Sequence, residues 1–162
     1  MIDKFIPPIL MRRLKFLMEE ARQNEKRDQV TTYAMRVISN YATIEKDASS
    51  TKVKSENKNV SETSYKLLLE LNSIEKWAKQ TINEHQIPLK ALWEEIQSRN
   101  LDEKEIWEIF LDAPMITITK KEDAKINSLG LRSSSEKSRY KKAGIKIIEL
   151  PDTPIKILKN NG

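Results

Sequence analysis

Apolar residues recur at spacings of three and four along the first part of the chain. Pro7-Pro8 leads into Ile9, Leu10, Leu14, Leu17, Met18 and Ala21. After a break near Asn24 to Asp28 come Val30, Tyr33, Ala34, Val37, Ile38 and Tyr41. Each set lies on one face of a 3.6-residue turn, so the pattern predicts an antiparallel helical hairpin over residues 1–46. Residues 47–60 lose the rhythm, because Ser, Thr, Lys, Asn and Glu dominate and the apolar side chains are Ala48, Val53 and Val60. So little burial does not offset the entropy of ordering the segment, which predicts a polar linker. The stripe resumes through Tyr65, Leu68, Leu71, Ile74, Trp77, Ala78 and Ile82, a long helical pattern ending by Ile87-Pro88. Pro88 suits the first turn of another helix with Leu89, Leu92, Trp93 and Ile96. Asp102 and Glu105 form a capping box for a third, with Ile106, Trp107, Ile109 and Phe110, which stops at Pro114. Trp77, Trp93 and Trp107 each sit on a stripe, which predicts a shared aromatic core, although a base-stacking surface or a peptide groove would use the same residues.

Past Pro114 the period shortens. Met115 to Thr119 is β-branched and too short for a helix, so it reads as a strand. Thr119 and Glu122 make a second capping box, opening a helix through Ala124, Ile126 and Leu129 that Gly130 ends. Ser133 to Ser135 offer caps for a further helix ended by Gly144. Ile145 to Leu150 and Ile155 to Leu158 read as β runs joined by Pro151-Asp152-Thr153-Pro154. The expected fold is mostly α with a small α+β C-terminal segment: a hairpin over 1–46, a linker over 47–60, and a helical centre plus that segment over 61–162.

Composition narrows the function classes. The chain has no cysteine, which removes disulfides and Cys-based zinc sites and fits a reducing cytoplasm. No uncharged stretch approaches the roughly 18 residues that a membrane span needs, so a cytoplasmic chain without a membrane partner is expected. The net charge of +5 is unevenly spread. Residues 1–60 hold 12 Lys/Arg against 8 Asp/Glu, residues 61–114 hold 6 against 11, and residues 115–162 hold 11 against 5. Basic ends attract polyanions, although uneven charge also serves solubility alone.

The order from Asp102 onward is helix, strand, two short helices about Leu129-Gly130-Leu131, and two β runs. This order resembles the winged helix–turn–helix family over about a third of the chain. The resemblance implies that Ser134 to Lys142 is the helix placed in the major groove, with a β wing along the neighbouring backbone. Carried over, it makes Arg132, Ser134, Lys137, Ser138, Arg139, Lys141 and Lys142 base or phosphate contacts, and Lys156 and Lys159 wing contacts. Tyr140 and Ala143 are the only apolar anchors of that segment, which leaves a solvated basic loop over 132–142 as the other reading.

Catalytic signals are thin. His85 is the one histidine, beside Glu84 at a predicted helix end where it serves as a capping or surface residue. The acidic residues between Glu94 and Asp112 have the spacing of solvated helix faces and no histidine at ligand spacing. Asp123, Glu149, Asp152 and Lys156 suggest a metal-dependent nuclease only faintly, without the tight acidic-x-Lys strand signature, and no glycine-rich phosphate loop exists. No metal or cofactor is expected. The expectation is a non-enzymatic DNA-binding or nucleoprotein accessory protein, with DNA or RNA as partner. The alternatives are an adaptor or inhibitor that docks its helical surfaces on a larger protein and, less favoured, a nuclease subunit; the oligomeric state stays open.

Overall fold

The computed structural model describes residues 5–23, 26–134, 136 and 138–161. In chain order the first elements are α1 (Pro8–Gln23), α2 (Gln29–Ile44), α3 (Ser50–Glu56), β1 (Asn59–Ser61), α4 (Glu62–Leu71), α5 (Ile74–Lys79) and β2 (Thr81–Glu84). They are followed by α6 (Leu89–Arg99), α7 (Glu103–Leu111), β3 (Ile116–Thr119), α8 (Lys120–Ser128), α9 (Arg139–Lys142), β4 (Ile147–Glu149) and α10 (Pro154–Asn160). The protein is mostly α, with one small mixed sheet. Its contacts divide it into two compact units: residues 1–47 with 89–114, and residues 48–88 with 115–162.

The first unit is all helical. Helix α1 packs on α2, α6 and α7, and α2 packs on α7. The predicted stripes supply its buried faces: Leu10, Leu14 and Leu17; Ala34, Met35, Val37 and Ile38; Leu92, Trp93 and Ile96; Ile106, Trp107 and Phe110. Asp28 caps α2 by accepting from the Thr31 amide, and this hydrogen bond holds its carboxyl below the usual range. The expected Asp102–Glu105 capping box opens α7.

The second unit is built on the sheet, in the order β2-β3-β1-β4. Strands β1 and β3 are parallel neighbours with Val60 beside Thr117, while β2 and β4 run antiparallel on the flanks. Side chains alternate between faces along a strand. Ile116 and Ile118 point into one core with Ile126, Tyr140, Ala143 and Ile145. Val60, in register with Thr117, therefore points the other way, into a second core with Leu68, Trp77, Leu150 and Ile157. Helices α8 and α9 cover one face, and α4, α5 and α10 the other. The unit repeats one motif twice, strand, capped helix, second helix, strand, as β1-α4-α5-β2 and as β3-α8-α9-β4.

Four expectations are corrected. Residues 47–60 are not a linker but hold α3 and β1, with Val53, Lys54, Ser55, Asn57 and Val60 buried. Their polar members are satisfied inside: Asn57 Nδ2 donates to the Met115 carbonyl at 3.0 Å and to Thr117 Oγ1 at 3.3 Å. The long helix from Ser61 breaks at Asn72, in the left-handed region, and Thr81 to Glu84 is a strand paired with β3. Residues 155–158 are helical, because Pro154 starts α10, so the two-stranded wing of the winged-helix resemblance is not formed. The three tryptophans do not share a core, since Trp77 belongs to the sheet unit and Trp93 and Trp107 to the helical one.

Candidate nucleic-acid interface

Two strands ending side by side, each running directly into a helix, define the most distinctive place in the sheet unit. Ser61 closes β1 and caps α4 by accepting from the Ser64 amide, while Thr119 closes β3 and caps α8 by accepting from the Glu122 amide. Because α4 and α8 leave toward opposite faces, the carboxyl ends of β1 and β3 flank a crevice of the kind in which open α/β sheets hold ligands. One carboxylate joins the two caps. Glu122 Oε2 accepts from Ser61 Oγ at 2.6 Å and from the Thr119 amide at 2.8 Å, and it is buried.

A cleft of about 520 Å³ opens here, lined by Thr63, Lys66, Leu67 and Glu70 of α4, Lys79 and Gln80 at the end of α5, and Thr119, Lys120, Lys121, Glu122 and Lys125 of β3 and α8. Lys66 pairs with Glu62 at 3.1 Å and Lys79 with Glu75 at 3.5 Å. Lys120, Lys121 and Lys125 are exposed and enter no salt bridge among the described residues. Thr63 and Lys121 are the second residues of their helices, where a backbone amide has no partner within the helix. Lys54 of α3 is buried, its ammonium donating to the carbonyls of Ala78 at 2.7 Å and Thr81 at 2.8 Å, on either side of Lys79 and Gln80. Burial, and then the charge of Lys120, push its pKa down.

The residues singled out from the sequence are not gathered into one recognition helix. Arg132, Lys141 and Lys159 are exposed, and Ser134 is half-buried. Ser138 Oγ donates to Glu136 at 3.2 Å, Lys142 pairs with Glu136 at 2.8 Å, and Lys156 pairs with Asp152 at 4.0 Å. Lys137 lies outside the described residues. Helix α9 spans four residues, and its Arg139 is corrected outright: it is 1% exposed and has no reach to a phosphate. Its guanidinium is committed inside the unit, to Glu84 at 2.6 Å, to the Arg132 carbonyl at 2.9 Å and to the His85 carbonyl. The nuclease set fares no better, since among the described residues no group of three or more His, Asp or Glu stands close enough to hold a metal ion.

No protein-family model, curated protein or solved structure matches the chain. Among the described residues no helix is long and apolar enough to cross a membrane. Lys120, Lys121 and Lys125 lie outside the segment that the winged-helix resemblance selects, so the sequence pattern did not single them out. The available signal was the repeated junction, Val60-Ser61-Glu62 and Ile118-Thr119-Lys120, where a β-branched strand residue meets a hydroxyl cap.

Proposed function

We propose that the chain is a non-enzymatic nucleic-acid-binding protein whose sheet unit meets phosphates through the cleft lysines. The observation that carries this reading is the presence of three lysines that enter no salt bridge among the described residues, Lys120, Lys121 and Lys125, in one recess at the ends of two parallel strands. Charge supports it: the sheet unit holds 17 Lys/Arg against 10 Asp/Glu, whereas the helical unit holds 12 against 14. Lysine is a compact, strongly hydrated point charge, suited to phosphate oxygens rather than to bidentate reading of bases. Binding of this kind is tuned little by sequence and strongly by salt, because each neutralised phosphate releases a condensed counterion.

The test is a salt titration of single-stranded DNA binding with the intact chain and with Lys120→Gln/Lys121→Gln/Lys125→Gln. Three lost phosphate contacts make the log–log slope shallower by about two units, at about 0.7 per contact on a single strand. A slope unchanged by the triple substitution defeats the assignment of the cleft. Failure of the unaltered chain to bind any nucleic acid at low salt defeats the function itself and promotes the adaptor reading.

A further inference from the structure

The shape and charge of the cleft say more than that polyanions are attracted to it. We infer that it is a phosphate-monoester site that takes the terminal phosphate of a nucleic-acid strand, an inference that rests on the nucleic-acid reading above. A duplex presents its phosphates on a broad convex surface, which a broad flat or gently concave patch of lysines meets best. This surface is a recess of about 520 Å³ between α4 and α8, the size of a small-molecule pocket, which a strand end enters and a continuous duplex does not.

Charge distinguishes an end from the middle of a strand. The residues lining the cleft include five lysines and two glutamates, an excess of three positive charges. A phosphodiester carries one negative charge, whereas a terminal monoester carries about 1.5 to 2 and three strong acceptor oxygens. Lys120, Lys121 and Lys125, which enter no salt bridge among the described residues, supply three ammonium groups to meet them, beside the first turns of two helices.

Lys54 brings a further cation against the cleft wall. It is buried and bonded to two carbonyl oxygens, it enters no salt bridge among the described residues, and the charge of Lys120 acts on it. The carbonyls of Ala78 and Thr81 that hold it flank Lys79 and Gln80 in the cleft wall. An anion beside Lys120 relieves that like-charge pairing, so the place where positive charge is in excess is also the place that is hollow.

The experiment uses the full chain and a short, internally labelled single-stranded DNA bearing a 5′-phosphate, a 3′-phosphate or hydroxyls at both ends, with closed circular single-stranded DNA as competitor. A phosphorylated strand binds about tenfold tighter or more, the scale of one charge-assisted contact. Lys121→Gln/Lys125→Gln abolishes the preference without changing the melting temperature, since both side chains are exposed. The circle, which has no ends, still competes weakly. Equal affinity for strands with and without a terminal phosphate overturns the inference while circle binding leaves the nucleic-acid reading standing, and no binding of circle or strand overturns both. A preference that survives the double substitution places the monoester elsewhere and overturns the inference. A free deoxynucleoside 5′-monophosphate competes less well than the phosphorylated strand; equal competition overturns the strand as ligand.

Discussion

Arg139 shows how far the environment of a residue can depart from its type. A basic segment reads as solvated, yet this guanidinium is among the most buried side chains, and its partner Glu84 is also largely enclosed. Burial raises the Glu84 pKa, and the Arg139 guanidinium beside it opposes that shift by favouring the carboxylate. Arg139→Met should destabilise by about 3–5 kcal/mol because it strands the Glu84 carboxylate, and Arg139→Met/Glu84→Leu should recover much of that loss. Urea denaturation decides: a cost below about 1 kcal/mol for the single change would mean that the pair is open to solvent. The neighbouring Tyr140 gives a pH test. Burial pushes its phenol up to about 12, so between pH 10 and about 12 the unfolded chain gives up a proton that the folded chain keeps. Its contribution is present below that window and is lost as the pH rises through it. Absorbance titration should show Tyr140 ionising near pH 12, and a titration unaltered by Tyr140→Phe would refute the assignment. None of this was legible in the sequence, because burial of Arg139, Lys54 and Asn57 is decided by partners 24 to 60 residues away.

Among the elements, what is local was legible. Both capping boxes form, and Gly130 and Gly144 end their helices at φ of 70° and 71° with paired Schellman bonds, such as Leu131 N to Ile126 O and Gly130 N to Asn127 O. No other atom lies within 4 Å of a Cβ added at Gly130, so Gly130→Ala should cost about 1–2 kcal/mol through backbone strain alone. A neutral change in the denaturation midpoint would mean that the turn rearranges. What depends on pairing was not legible: Thr81 to Glu84 continues an amphipathic stripe and becomes a strand because β3 lies beside it, and α3 is too short and polar to show a stripe. The segment 47–60 is the sharpest case, since hydropathy counts Lys54 and Asn57 as solvated when both are hydrogen-bonded inside. Amide exchange should therefore find protection at Val60, in the ladder between Thr117 and Ile148, and exchange there as fast as in a free peptide would restore the linker.

At the scale of the molecule, the candidate site was half legible: the excess of cations after Met115 is in the sequence, but its focus is not. The unit boundaries sort the charges more sharply than linear thirds do. The acidic stretch 89–114 joins residues 1–47 in the helical unit, and segment 48–88 joins the basic end in the sheet unit. The doubled strand–helix motif then brings the ends of β1 and β3 together, gathering lysines from residues 66 to 125 into one cleft that no sequence window contains. This arrangement yields a paired prediction about where polyanion binding resides. Arg12 and Arg36 are exposed cations of the helical unit, as basic in sequence as anything in the cleft. Arg12→Gln/Arg36→Gln should leave the salt slope of single-stranded DNA binding unchanged, whereas Lys121→Gln/Lys125→Gln, removing the same formal charge, should flatten it by about 1.4 units at about 0.7 per contact. If net charge alone drew the polyanion, the two double substitutions would act alike. Equal flattening would make the attraction diffuse and leave the cleft without a role, while an effect confined to the lysines places the contact at the ends of the two parallel strands.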